Sequence, residues 1–174
     1  MTSRTAMRVG IGFDMHPLRE GRRLVLGGVE IPHPRGLDGH SDADALTHAV
    51  IDALLGAAAA GDIGSRFGTD AAWTRNILSL RLLEEAAAAV SGMGYAVHNA
   101  DATVVAEAPR LAPHIPAMRV NLARALRVGE SQVNVKATSA KLMGFIGSGE
   151  GIAAFAVVSL LSALPAQDPT PPSI

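Results

Sequence analysis

Between Ser41 and Ala60 the chain carries no lysine, arginine or glutamate, only short polar side chains set among Ala, Leu, Ile and Val. A helix with an ordinary solvated face would use the long charged residues, so the stretch predicts a helix that lacks one. Ser41 followed three residues later by Asp44 reads as a capping box that opens the helix at Ser41, and Gly61 is placed to stop it. Within it Asp44, His48 and Asp52 recur at i−4, i and i+4, one polar line on an otherwise apolar rod.

The surrounding pattern alternates strands with helices. Met7–Phe13 predicts a strand ending at Asp14-Met15-His16-Pro17, and Leu24–Leu26 and Val29–Ile31 predict a hairpin turned by Gly27-Gly28. A loop then leads to His40. Residues 62–75 read as an irregular loop around Trp73, and residues 77–90 as a second helix. Tyr95–Ala106 predicts a long strand with Ala96, Ala100, Ala102, Val104 and Ala106 on one small-residue face. Ala117–Leu126 predicts a third helix, and Val133–Ala137 and Ile152–Leu161 predict further strands around a glycine-punctuated loop. The expected fold is α+β, a mixed sheet packed on one side by helices, with an N-terminal β-hairpin.

With 174 residues, 48% hydrophobic and 18% charged, the chain can build one core: residues 1–6 as a flexible arm, 7–164 as a single domain, 165–174 as a mobile tail rich in proline. A formal net charge of −1 gives no reason to expect nucleic acid or an anionic membrane as partner. No apolar run is long enough for a membrane span and no signal-peptide core is visible, so a soluble cytoplasmic protein is expected. The absence of cysteine removes thiolate metal sites and cysteine nucleophiles, leaving His, Asp and Glu to hold a metal.

Asp14 and His16, two apart on a strand, project to one face and can converge on one point. Alone the pair is equally a polar strand end, just as the line on the helix is by pattern a solvated face. Together with His48 they would give three nitrogen or oxygen ligands and leave a fourth tetrahedral position open, the arrangement of a zinc Lewis-acid site. The carboxylates flanking His48 are then expected to fix its tautomer. His40 and Ser41, at the predicted helix start, suit a phosphate.

Several separated motifs in register resemble the 2-C-methyl-D-erythritol 2,4-cyclodiphosphate synthases across about Arg8 to Leu161. They are Gly-Phe-Asp-x-His at Gly12–His16, Gly-Gly-Val-x-Ile-Pro at Gly27–Pro32, His-Ser-Asp-x-Asp at His40–Asp44 and Asp-Ala-Leu-Leu-Gly-Ala-Ala at Asp52–Ala58. Gly-Asp-Ile-Gly at Gly61–Gly64, Ala-Pro-x-x-x-Pro-His-Ile-Pro at Ala108–Pro116, Val-Asn-Val-Lys-Ala-Thr at Val133–Thr138 and Gly-x-Gly-Glu-Gly-Ile-Ala at Gly147–Ala153 complete the series. The resemblance implies a homotrimer with active sites between subunits. It implies a cytidine diphosphate substrate whose 2-phosphate attacks the β-phosphorus and expels CMP. Asp14, His16 and His48 match zinc ligands, and Asp14 and His16 also substrate contacts. His40 and Ser139 match catalytic positions, His40 and Ser41 phosphate contacts, and Asp62, Ile63 and Gly64 contacts to the erythritol part. Ala106, Ala108, Pro109, Arg110, Leu111 and Ala112 match the cytidine pocket, and Thr138, Ser139, Lys141 and Phe145 further substrate positions.

The departures are local. Thr138-Ser139-Ala140-Lys141 stands where relatives show Thr-Thr-Thr followed by an acid, so Lys141 replaces the carboxylate that helps hold magnesium. Ser148 stands where relatives carry an arginine, and residues 67–79 keep only Phe67, Trp73 and Ser79 of the usual pattern. These exchanges leave an alternative reading, a divergent trimeric protein that binds zinc and a nucleotide diphosphate with altered or no turnover.

Overall fold

A computed structural model describes residues 6–68 and 77–162. Trp73, most of the N-terminal arm and the proline-rich tail lie outside the described residues. Among the described residues seven strands and five α-helices follow one another as β1 Met7–Glu20, β2 Leu24–Leu26, β3 Val29–Ile31, β4 Arg35–Leu37, α1 Ala45–Ala58, α2 Ile63–Phe67, α3 Ser79–Gly92, β5 Tyr95–Val105, α4 Ile115–Leu126, β6 Val133–Thr138, α5 Gly144–Gly147 and β7 Gly151–Ser162.

Five strands form one sheet in the order β4-β1-β7-β5-β6, and β2 and β3 form a separate hairpin. The β5–β6 pair is parallel and the others are antiparallel, so the sheet is mixed. Along β1 the burial alternates: Gly10, Gly12, Asp14, His16 and Leu18 face the helices, while Met7, Val9, Ile11, Phe13 and Met15 lie exposed on the opposite face. The expected α+β architecture with helices on one side is what is found.

Helix α1 lies directly on β1, and two glycines make this possible. A Cβ on Gly10 would come 2.1 Å from the Ala53 carbonyl oxygen, and one on Gly12 would come 1.9 Å from that of Ala49. No other residue fits between this strand and this helix. The hairpin turn behaves as expected, with Gly27 and Gly28 at φ 57 and 68.

Several boundaries differ from the sequence reading, each for a local reason. β1 does not end at Phe13: it runs through Pro17, where it leaves β7 (Pro17↔Gly151) and takes β4 as its partner (Leu18↔Leu37). Asp14 and His16 therefore sit inside a strand. Ser41 is not the helix cap; Asp44 is, its side chain accepting from the Thr47 N–H. Residues 62–67, read as loop, form the short α2, capped by Asp62 through Ser65. On β5 a register shift between Val97 and Asn99 reverses the alternation, so Ala96 is exposed while Val97 packs on the core.

Candidate active site

Three side chains from β1 and α1 converge. Asp14 Oδ2 lies 2.9 Å from His16 Nε2 and 3.0 Å from His48 Nδ1, and the two imidazole nitrogens are 3.3 Å apart. Two ligands on a tetrahedral zinc, each about 2.0 Å from the ion, are separated by about 3.3 Å. The trio has the spacing of one face of such a site, and its ligand atoms all lie within 4.8 Å of one another.

The second nitrogen of each imidazole is turned away. His16 Nδ1 donates to the Asp38 carbonyl at 2.8 Å, which leaves Nε2 for the cluster. His48 Nε2 faces the hydroxyls of Ser79 at 2.8 Å and Ser41 at 3.1 Å. Burial opposes ionisation of Asp14, but hydrogen bonds from both imidazoles and their charge hold its carboxyl well below the usual range. Burial likewise disfavours the charged form of His16, and Asp14 outweighs it, raising the imidazole. A positive charge among these atoms is what the cluster stabilises, and a divalent cation fits the donor set with protons displaced.

Asp44 and Asp52 do not flank His48 as expected from the helical line. The Asp44 carboxylate is fully buried and turns to the hairpin, accepting from the Gly27 and Gly28 N–H groups at 2.9 and 2.7 Å and from Thr47. Burial, followed by repulsion from Asp42, pushes its carboxyl up against those donors. Asp52 accepts from the Ile63 N–H at 2.8 Å and so ties the start of α2 to α1. Burial is also the main cause raising Asp52. The partners of His48 are instead Ser41 and Ser79, with Asp42 behind Ser79; helical periodicity carries no signal for Asp42 or Ser79.

The cluster opens into a pocket of about 220 Å³ lined by Asp14, His16, His40, Ser41, His48, Ile63, Gly64, Phe67, Gly68 and Leu82. Asp62 caps α2 at its rim. The remaining expected residues lie elsewhere on the chain. Ala106 follows β5, its N–H donating to the Thr138 carbonyl at 3.0 Å, and Ala108, Pro109, Arg110, Leu111 and Ala112 form the loop that leads to α4. Ser139 and Lys141 follow β6, and the Lys141 side chain is exposed. Phe145 lines a second pocket of about 320 Å³ with Met15, His16, Arg19, Arg35 and Glu150, so His16 borders both pockets, and Ser148 donates to Glu150 at 2.7 Å.

The profile of the YgbB family matches residues 7–161. The chain belongs to the YgbB family. A 2-C-methyl-D-erythritol 2,4-cyclodiphosphate synthase of Syntrophomonas wolfei is 59% identical over 152 residues, 87% of this chain and 97% of that protein. Among solved structures, the bifunctional IspDF from Campylobacter jejuni superposes with a TM-score of 0.88 at 40% identity, covering 91% of this chain and 43% of the longer one. The Plasmodium falciparum IspF in complex with CDP superposes with a TM-score of 0.80 at 30% identity, covering 93% of this chain and 100% of that one. The YgbB membership agrees with the motif series in the sequence. Among the described residues no helix is long and apolar enough to cross a membrane.

Proposed function

We propose that the chain converts 4-diphosphocytidyl-2-C-methyl-D-erythritol 2-phosphate to 2-C-methyl-D-erythritol 2,4-cyclodiphosphate with release of CMP, a phosphorus–oxygen lyase reaction in isoprenoid precursor biosynthesis. The observation that carries this reading is the Asp14–His16–His48 trio opening into the pocket of His40, Ser41, Ile63 and Gly64 in a chain of the YgbB family. An oxygen of the 2-phosphate forms a bond to the β-phosphorus, the bond from that phosphorus to the bridging oxygen breaks, and CMP leaves with the bridging oxygen. No side-chain nucleophile is needed, because nucleophile and electrophile belong to one molecule and the protein's task is positioning and charge.

Asp14, His16 and His48 would hold zinc, which would supply Lewis acidity toward phosphoryl oxygens. His40 stands at the pocket wall, where its donor can stabilise charge growing on the transferred phosphoryl group. Asp62, Ile63 and Gly64 hold the erythritol part, and the loop from Ala106 to Ala112 holds cytidine. Thr138 and Ser139 contact phosphates, and Phe145, six residues beyond Ser139, supplies a further substrate contact. The Lys141 ammonium takes over charge that a magnesium ion would supply, as a point charge on the diphosphate.

The working unit is a homotrimer with each site between neighbours. Asp14 pairs with Ala154, Ala154 with Val104 and Val104 with Ala137. Zinc ligands and the Thr138–Lys141 segment thus end one row of the sheet, three strand spacings or about 14 Å apart within one subunit. A neighbour's segment can close that gap. The exposed apolar face of β1, continued by Phe155 and Val157 of β7, gives the subunits a surface to share. Release of CMP from the cytidyl substrate by zinc-loaded protein, followed with and without magnesium, tests the reading; a folded, zinc-loaded trimer that releases none would refute it.

A further inference from the structure

Behind His48 runs a chain of hydrogen bonds whose direction can be deduced. Asp42 Oδ2 accepts the Ser79 backbone N–H at 3.0 Å, and Asp42 Oδ1 accepts the Ser79 hydroxyl in a short contact. The Asp42 N–H donates to the Ile77 carbonyl at 3.2 Å, so three hydrogen bonds tie the turn before α1 to the start of α3. The Ser79 oxygen lies 2.8 Å from His48 Nε2 and 3.3 Å from the Ser41 hydroxyl.

A carboxylate only accepts, so the one proton of the Ser79 hydroxyl goes to Asp42 and its oxygen meets His48 with lone pairs. Ser41 accepts the Ala43 N–H at 3.1 Å, and its oxygen lies 3.1 Å from His48 Nε2 and 3.3 Å from the Ser79 oxygen. At 2.8 Å one of the two atoms must supply the shared proton, and with the Ser79 proton committed to Asp42, Nε2 is the donor to Ser79. Ser79 is fully buried, so no solvent competes. With that proton kept on Nε2, Nδ1 turns a lone pair toward Asp14 and His16 once its own proton, shared with Asp14 at 3.0 Å, is displaced by a cation.

We propose that Asp42, acting through the Ser79 hydroxyl, holds the His48 proton on Nε2 and thereby sets the affinity of the Asp14–His16–His48 cluster for its cation. Asp42 and Ser79 are positioning residues: they act through His48 and are not among the three candidate ligands. The inference rests on the zinc site of the proposed function and not on its substrate.

The substitution Asp42→Asn reverses the chain. Its amide oxygen must face the Ser79 N–H, which cannot turn round, so its NH2 faces the Ser79 oxygen and frees that hydroxyl to donate to Nε2. The His48 proton is then driven to Nδ1, where it competes with metal. Full-length protein stripped by chelator is titrated with Co²⁺ and followed by visible absorption. Asp42→Asn and Ser79→Ala are each expected to bind cobalt about 10–100-fold more weakly than wild type, with little change in the melting temperature of the metal-free chain. The double variant should bind no more weakly than the weaker single, because both residues act through one link. Long-range ¹H–¹⁵N correlation spectra of the metal-free chain, at alkaline pH where imidazoles are neutral, should show His48 protonated on Nε2 in wild type and on Nδ1 in Asp42→Asn. Wild-type cobalt affinity in both variants, or a His48 without a proton on Nε2 in wild type, would overturn the proposal. Should a variant not fold, the wild-type spectrum alone decides. Cobalt binding as expected without CMP release from wild type would remove the substrate reading and leave this one standing; no cobalt binding by wild type would remove both.

Discussion

His48 Nδ1 stands 3.0 Å from Asp14 Oδ2 across 34 residues of chain. The contact spans the seam between α1 and β1, and its length is set by how closely a helix backbone can approach a strand backbone. Gly10 and Gly12 set that approach; with side chains there, the two ligand-bearing elements would stand further apart.

Gly12→Ala should therefore damage site and fold together. Its new Cβ would meet the Ala49 carbonyl oxygen at 1.9 Å and the Ala53 nitrogen at 2.7 Å, backbone atoms that move only if α1 moves. Urea denaturation should show a loss of about 3 kcal/mol, and metal analysis should show substoichiometric zinc. Gly56→Ala, on the same helix but with only the Ile11 carbonyl at 3.9 Å, should be neutral or gain about 0.5–1 kcal/mol. Equal destabilisation by both changes would refute the close-approach argument.

His48→Ala separates a catalytic metal from a structural one. The core of α1 is built by Leu46, Val50, Ile51, Leu54 and Leu55 and does not depend on the imidazole. The variant should keep its circular dichroism spectrum and assembly, lose zinc by metal analysis, and release CMP at least about 1,000-fold more slowly, as expected when Lewis-acid stabilisation of several kcal/mol is removed. Unfolding on chelation of the wild type would instead mark the metal as structural.

Lys141 tests whether a lysine serves where relatives place an acid. Its backbone has φ 54 and that of Leu142 has φ 62, so two side-chain-bearing residues are held in the left-handed region at this turn. If the ammonium meets the diphosphate, Lys141→Ala should lower kcat/KM about 10–100-fold, the worth of one hydrogen bond to a charged group, and added magnesium should not restore it. Wild-type kinetics in Lys141→Ala, with full dependence on magnesium, would show the lysine to be a solvated bystander.

Asp101 gives a stability test away from the site. Burial works against its ionisation, but Lys136 at 2.5 Å and Asn134 at 2.9 Å outweigh it, so its carboxyl titrates below the ordinary carboxylate value. A lowered folded-state pKa means that the pair stabilises the fold above the unfolded value of about 3.9 and that this contribution is lost as pH falls through the folded value. The pair is half-exposed, so the effect should stay below about 1 kcal/mol. Urea denaturation of wild type and Lys136→Met should differ at neutral pH and coincide in acid; a difference that grows on acidification would contradict the assignment.

Much of this was legible before the fold was known, because period-two and period-3.6 patterns report which face a residue takes. Asp14, His16 and His48 could be brought together on that basis, and the hairpin followed from Gly27-Gly28. Patterns fail where a residue's partner is distant in sequence. Ser41 looks like a cap, yet the cap is Asp44, and the carboxylates expected to hold His48 are drawn off by the Gly27–Gly28 turn and by the Ile63 N–H. Pro17 looks like a strand end because proline lacks a donor, but at that point β1 changes partners and the missing donor is tolerated.

The apolar face of β1 carries the last prediction. Ile11 is 73% exposed in the single chain, with Val9 and Phe13 beside it, while its back is Gly10 and Gly12 against α1. A carboxylate on that face costs the isolated subunit little and cannot be buried in a contact without a large desolvation penalty. Ile11→Asp should therefore shift the protein from trimer to monomer in light scattering behind size exclusion, while zinc content per chain stays at one, since Asp14, His16 and His48 all come from one subunit. If the proposed intersubunit site holds, with the segment near Thr138 supplied by a neighbour, CMP release should fall with the trimer. A monomeric variant with full turnover would place the complete site within one chain and remove the intersubunit reading.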